Sequence, residues 1–176
     1  MRRFYGEERR TGYLNWDEYF MASAMLASLR SKDPNTQVGC TIVSEDNIIL
    51  SQGYNGAPIG WKDENFPWAR SGEYHDTKYP YVVHSEANAI THCIGQGISL
   101  KDSRIYVTLF PCNECAKLIV QAGIKEVIYF SDKYKGTESN IAAKRIFDNC
   151  GVDYREFKNE NTIAVTLTLK KEKSKN

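Results

Sequence analysis

Apolar and polar positions change their spacing along the chain, and these changes outline the secondary structure. Over Leu14–Leu29 the apolar residues recur at helical spacing, and Pro34 prevents that helix from continuing. Val38–Ser44 is apolar and β-branched, and Ile48–Gln52 resumes in extended character after the turn residues Glu45-Asp46-Asn47. The first third of the chain therefore predicts a helix followed by a β-hairpin.

The second half of the chain alternates predicted strands and helices. Arg104–Leu109 and Glu126–Ser131 have strand character and flank a helical pattern at Asn113–Ala122, with Pro111 expected in its first turn. This order predicts a parallel strand pair, and hence an α/β fold: a three-layer α-β-α sandwich around a central mixed sheet of about five strands. The other predicted elements are helices at Ser85–Ile94 and Asn140–Asn149 and strands at Tyr154–Phe157 and Thr162–Leu169.

Residues 57–83 lack a clear period and contain three prolines, three tyrosines and two tryptophans. An ordered segment of this length is usually functional in a compact domain, and its aromatic content argues against disorder. No repeat or linker divides the chain. We predict one domain over residues 1–176, with a core at about 14–157, a long insert at 57–83 and a flexible tail at 170–176.

Composition narrows the class of protein. Of the 176 residues, 23 are basic and 22 acidic, which disfavours a surface built to bind nucleic acid. No signal peptide or membrane-length apolar run is found, and five cysteines suggest reduced thiols in a cytoplasmic protein. Outside the Cys-x-x-Cys pair, Cys40, Cys93 and Cys150 are predicted to be small buried hydrophobes.

Two short stretches carry the candidate chemistry: His84-Ser85-Glu86 and Pro111-Cys112-Asn113-Glu114-Cys115. One imidazole and two thiolates bind zinc and leave its fourth tetrahedral position for water. Glu86 is then available to move the proton of that water. Both stretches fall at predicted helix N-termini, where the helix dipole favours thiolate over thiol.

The Cys-x-x-Cys pair allows two other interpretations. A structural zinc would need a fourth ligand from His75, His92, Cys93 or Cys150, and position 92 lies roughly 10 Å or more along a helix from His84. A redox pair would leave His84 and Glu86 without a role. The joint pattern favours catalytic zinc, with His75 and His92 as ordinary polar or core residues.

Several stretches resemble the cytidine deaminase superfamily and, within it, the deoxycytidylate (dCMP) deaminases. The zinc motif is shared by the whole superfamily, whereas the other stretches are typical of its nucleotide branch. Ser85 replaces an alanine that is commoner in the family, and only its backbone is expected to act. The matching stretches are residues 30–39, Gly53-Tyr54-Asn55-Gly56, residues 77–82, residues 84–90, residues 111–117 and Ser131-Asp132-Lys133-Tyr134.

The resemblance implies a cytidine deaminase-like fold and hydrolytic deamination of dCMP to dUMP for thymidylate synthesis. Zn²⁺ on His84, Cys112 and Cys115 would lower the pKa of a bound water. Glu86 would take the water proton, pass it to the ring nitrogen and later protonate the leaving ammonia.

The resemblance also implies contacts to the substrate. The Ser85 N–H would bind the base carbonyl and the Phe110 C=O the amino group, while Asn55 and Thr36 would meet the sugar. Asn55 is otherwise a turn residue, and Thr36 an ordinary strand-entry residue. The candidates for binding the 5′-phosphate are Lys133, Tyr134, Arg30 and Lys32. Their alternative roles are a solvated charge for Lys133, packing or base stacking for Tyr134, and capping of the first helix for Arg30 and Lys32.

Regulation and assembly are likewise implied by the family. Its members are commonly hexamers, activated by dCTP and inhibited by dTTP, and Mg²⁺ would accompany the effector triphosphate. Tyr54, Asn55, Gly56 and the 57–83 insert are the expected surroundings of the effector. The rival functions are deamination of dCTP or of a free nucleoside, deamination of RNA or DNA, and a non-enzymatic binding module with structural zinc.

Overall fold

The computed structural model describes residues 9–158, which form a five-stranded sheet flanked by four α-helices. The predicted strand at Thr162–Leu169 and the tail at 170–176 lie outside the described residues. The elements are α1 (Trp16–Ser28), β1 (Gly39–Val43), β2 (Ile49–Tyr54), α2 (Ser85–Gly95), β3 (Arg104–Val107), α3 (Asn113–Gln121), β4 (Glu126–Tyr129), α4 (Glu138–Cys150) and β5 (Asp153–Glu156).

The sheet is mixed, with strand order β2-β1-β3-β4-β5. β1 pairs antiparallel with β2 and with β3, whereas β3, β4 and β5 run parallel to one another. The predicted hairpin and the predicted parallel pair are both confirmed. Because α3 connects β3 to β4, the start of α3 lies beside the carboxyl end of β3, where ligand sites of parallel sheets form.

Helices cover both faces of the sheet, which confirms the three-layer sandwich. On one face, Phe20 and Met21 of α1 pack with Tyr106 and Ile128 from the strands. On the other face, α2, α3 and α4 pack together over a larger core that includes Ile42, Ile105 and Val127 among its fully buried side chains. Each helix thus buries part of its apolar surface against the sheet.

Capping residues decide where the helices begin. The Thr137 hydroxyl accepts from the Asn140 N–H, so α4 starts two residues before the predicted Asn140, and Gly151 in the left-handed region ends it. The prediction that Pro111 lies in the first turn of α3 is wrong. Cys112 is the N-cap of that helix, so Pro111 precedes it.

The 57–83 insert contains two short 3₁₀ turns and an aromatic cluster. Phe66 lies between Trp61 and Trp68, with ring centroids 5.2 Å and 4.4 Å away. The two ends of the segment are joined where Gly56 and Val83 exchange backbone hydrogen bonds of 3.0 Å and 2.9 Å. The insert is therefore anchored at its base and carries its own small core.

Within residues 9–158, no helix is long and apolar enough to cross a membrane. All five cysteines are free. Cys40 and Cys93 are buried as predicted, but Cys150 is exposed because it lies at the solvent-facing end of α4.

Candidate metal centre and active site

Two helix starts meet to form the candidate metal centre. His84 is the N-cap of α2, Cys112 is the N-cap of α3, and Cys115 lies in the first turn of α3. The His84 Nδ1 atom is 3.4 Å from Cys112 Sγ and 3.5 Å from Cys115 Sγ, and the three ligand atoms lie within 4.8 Å of one another. Tetrahedral zinc with ordinary bond lengths separates nitrogen and sulfur ligands by roughly 3.5 Å. The donor set and spacing therefore fit zinc.

Close packing of α2 on the sheet holds this geometry. A Cβ at Gly53 would lie only 2.1 Å from the Ser85 carbonyl oxygen, so no larger residue fits at this point of β2. The thiol of Cys40, on β1, donates to the same carbonyl at 3.2 Å. The first turn of α2 is thus fixed by contacts with both strands of the hairpin.

The pKa values of the two cysteine thiols shift in opposite directions, and the hydrogen bond with Cys112, together with burial, raises the pKa of Cys115. A hydrogen bond from Cys115, together with the nearby His84, lowers the pKa of the Cys112 thiol to about 4. The contact with Cys112 raises the pKa of His84 to about 9. Binding a metal cation requires deprotonated thiols and a neutral imidazole, so these ligands release protons when a metal binds.

Glu86 is a buried carboxyl in the first turn of α2, with 4% of its surface exposed. Burial raises its pKa, an effect that the nearby His84 opposes. The Ser85 hydroxyl donates to Glu86 Oε2 at 2.8 Å. This hydroxyl contact was not expected, since only the Ser85 backbone was assigned a role. A buried carboxyl with a raised pKa is suited to accept and return a proton.

Two of the three metal-ligand residues, His84 and Cys112, line a cavity of about 500 Å³, a volume in the range of small-molecule sites. Lys133, a predicted phosphate contact, does not line it, and its Nζ lies 5.5 Å from the centroid of the Tyr134 ring. The predicted site residues that do line the cavity are Thr36, Asn55, His84, Ser85, Glu86, Phe110, Cys112 and Tyr134.

Comparison with known proteins agrees with this geometry. The family model "Cytidine and deoxycytidylate deaminase zinc-binding region" matches residues 14–131. A human deoxycytidylate deaminase is 53% identical over 151 residues, which are 85% of this chain and 84% of the human protein. The chain belongs to the cytidine and deoxycytidylate deaminase family.

Two further relatives of this deaminase are informative. A probable deoxycytidylate deaminase from Drosophila melanogaster is 49% identical over 164 residues, which are 89% of this chain and 80% of the fly protein. The crystal structure of the dCMP deaminase of cyanophage S-TIM5, in complex with dCMP and dUMP, aligns with a TM-score of 0.65 at 26% identity. That alignment covers 80% of this chain and 95% of the phage chain. The deaminase core thus spans most of the chain.

Asn55 of this deaminase holds the loop that precedes β1. Its Oδ1 accepts from the Val38 N–H at 2.8 Å, and its Nδ2 donates to the Thr36 carbonyl at 3.0 Å and to Asp33 at 3.4 Å. Both amide hydrogens are therefore occupied, and one lone pair of Oδ1 remains for a ligand.

Sequence reasoning missed a buried ion pair at the cavity wall. Lys78 Nζ contacts Asp33 Oδ2, and their side chains are only 8% and 1% exposed. Burial alone would raise the Asp33 pKa, but the hydrogen bonds from Lys78 and from the backbone of Asn35 and Thr36 hold it below its usual value. The pair joins the loop before β1 to the 57–83 insert. Spacing along the chain gives no signal for it, because the two residues are 45 positions apart.

Lys78→Met is expected to destabilise the protein by about 3–5 kcal/mol, because it leaves the Asp33 carboxylate buried and unpaired. The free energy of unfolding in urea is the measurement. Lys32→Met is the matched control, since Lys32 pairs with Asp63 at the exposed surface and should leave the unfolding midpoint nearly unchanged. Equal losses in the two variants would contradict a special role for the buried pair.

The three residues expected near an effector lie at two cavities. Asn55 lines the first, whereas Tyr54 and Gly56 line a second cavity of about 250 Å³ together with Lys32 and His92. The guanidinium carbon of Arg30 lies 5.8 Å from the centroid of the Tyr54 ring. Thus Arg30 and Lys32, which were candidates for helix capping or phosphate binding, lie near the second cavity.

Proposed function

We propose that this protein hydrolyses dCMP to dUMP and ammonia and so supplies the precursor of thymidylate. The observation that carries the proposal is the buried Glu86 carboxyl beside the His84–Cys112–Cys115 cluster, in a cavity of about 500 Å³. The named substrates of the human and phage relatives support dCMP in particular. We further propose that residues 1–176 form a single deaminase domain.

The proposed chemistry is a proton relay on Glu86. Bound zinc supplies a Lewis acid that makes water nucleophilic near neutral pH. Glu86 accepts one proton of the attacking water and transfers it to the ring nitrogen beside the attacked carbon. It then takes the second proton from the hydroxyl now on that carbon and delivers it to the amino group, which leaves as ammonia while the carbonyl forms. The Ser85 hydroxyl holds Glu86 Oε2, which orients the other carboxylate oxygen for these transfers.

Backbone groups are proposed to hold the base. Ser85 is the first residue of α2, so its N–H has no acceptor within the helix and is available to the base carbonyl. The Phe110 ring is anchored against Tyr129, with ring centroids 4.9 Å apart, which fixes its carbonyl for the amino group. We propose that the free lone pair of Asn55 Oδ1 and the Thr36 hydroxyl bind the sugar.

Effector binding is proposed at the second cavity. Tyr54 and Gly56 line it, and the Asn88 side chain donates to the Tyr54 carbonyl at 2.7 Å. This contact links the end of β2 to α2, whose first turn carries Glu86. We propose that dCTP with Mg²⁺ activates and dTTP inhibits through this link.

We also propose an oligomeric state and a cellular location for this deaminase. The exposed face of α1 presents Trp16, Tyr19 and Leu26, and such apolar residues favour a homo-oligomer, which we propose to be a hexamer. Light scattering that gave a monomer mass would exclude this assembly. We propose the cytoplasm as the location, because zinc binding requires Cys112 and Cys115 as reduced thiols.

The proposed function predicts release of ammonia from dCMP, with sigmoidal kinetics that become hyperbolic when dCTP is added. The assay compares dCMP, dCTP and deoxycytidine side by side, each with and without the two effectors. A higher kcat/KM for dCTP or deoxycytidine than for dCMP would overturn the substrate assignment. Rates on dCMP that ignore both dCTP and dTTP would overturn the regulation and leave the chemistry intact.

A further inference from the structure

The cavity is lined by both buried and exposed side chains. Glu86 and Ser85 are buried beside the metal ligands, whereas Arg70, Tyr79 and Tyr134 line the same cavity and are exposed. A substrate whose base reaches Glu86 can therefore place its other end beside these exposed residues. In a nucleoside monophosphate, that other end is a dianionic phosphate.

Two cations besides His84 line the cavity, and their surroundings differ. Lys78 is buried and its charge is neutralised by Asp33. Arg70 is exposed, and across residues 9–158 it forms no ion pair; its Nε donates to the Tyr79 hydroxyl at 3.4 Å. The guanidinium thus keeps its terminal donors available for an anion.

The insert fixes the backbone beside Arg70. The Lys78 N–H donates to the Ala69 carbonyl at 3.1 Å, which attaches the chain next to Arg70 to the buried ion pair. Trp68, two residues before Arg70, packs against Phe66 in the aromatic cluster. A cation placed in this way loses less conformational freedom on binding than one on an unconstrained loop.

We propose that Arg70 binds the 5′-phosphate of the substrate and that Tyr79 positions its guanidinium. The inference rests on the proposed function and deepens it, because it makes the 57–83 insert the source of selectivity for nucleotide over nucleoside. A planar guanidinium matches phosphate oxygens in a bidentate geometry. Lys133, the residue suggested by the sequence, does not line the cavity.

The test measures kcat and KM for dCMP and deoxycytidine in wild type, Arg70→Gln, Arg70→Lys and Tyr79→Phe. Arg70→Gln is expected to raise KM for dCMP about 10- to 100-fold, the usual effect of losing a charge-assisted hydrogen bond, and to leave kcat/KM for deoxycytidine unchanged. Arg70→Lys should recover part of the loss, and Tyr79→Phe should show a smaller rise in KM. Calorimetry should show the same weakening of dUMP binding without turnover.

Arg145→Gln is the matched control, because this arginine is exposed on α4 and does not line the cavity. It should behave like wild type. If wild type deaminates dCMP and Arg70→Gln does so with unchanged KM, the phosphate assignment is overturned and the proposed function stands. An equal loss on dCMP and deoxycytidine, or a larger KM effect in Lys133→Gln, would also overturn it. A wild type inactive on dCMP would overturn the proposed function itself.

Discussion

Glu86→Gln is expected to lower kcat for dCMP about 10⁴-fold, the upper end of what general acid–base catalysis contributes. The amide matches the carboxyl in shape and can still accept from the Ser85 hydroxyl, so the buried site keeps its packing. It cannot accept the water proton, and every later proton transfer depends on that step. Steady-state kinetics, with zinc content and circular dichroism for each preparation, check the prediction.

Glu114→Gln is the control for this experiment. Glu114 lies between the two cysteines of the metal motif, but its side chain is 68% exposed and pairs with Lys117. It should retain wild-type kinetics. Turnover of Glu86→Gln within tenfold of wild type would refute the proton relay, whereas loss of zinc in that variant would mean that Glu86 supports the metal.

Cys112→Ser is expected to abolish stoichiometric zinc binding and deamination together. Serine is an adequate N-cap, so α3 keeps its capping group, but its neutral hydroxyl is a poor ligand compared with thiolate. For free zinc at 1,000 times its Kd, losing the metal removes about 4 kcal/mol of stability. In a domain of this size that corresponds to a fall in Tm of roughly 8–16 °C.

The matched control is Cys150→Ser, which changes an exposed cysteine outside the metal cluster. Its zinc content by atomic emission and its Tm by calorimetry should equal those of wild type. A Cys112→Ser protein that bound one zinc per chain and remained active would contradict the ligand assignment. A fall in Tm that persisted after both proteins were stripped with chelator would show that the thiol stabilises the fold without metal.

Sequence reasoning predicted the architecture well because each element has its own local pattern. The spacing of Tyr19, Phe20 and Ala24 predicted α1, and strand–helix–strand order predicted the parallel pairing of β3 and β4. Element boundaries were less accurate. Thr137 caps α4 by a side-chain contact that hydrophobic spacing does not encode, whereas α3 begins at the predicted Asn113.

The candidate site likewise has residues that local sequence motifs predict and contacts that only the fold shows. His84 and Cys112 are N-caps of two helices, and their motifs carry the ligand types and spacing that zinc requires. Asn55 was expected to bind substrate, but its amide also holds the loop before β1, a use visible only once Val38 and Thr36 are in place. A side chain's free donors and acceptors depend on neighbours that are distant in sequence.

By itself, the sequence determined the α/β class and the zinc-type ligand set, and it predicted Glu86 as the acid–base group, since these depend on local periodicity and on residues a few positions apart. Only the tertiary structure decided which cations surround the cavity. Lys78 is neutralised by Asp33, Arg70 remains available beside Tyr79, and Lys133 is outside. The physical reason is that charge at a site depends on pairing and burial, and both arise when separate segments of the chain pack together.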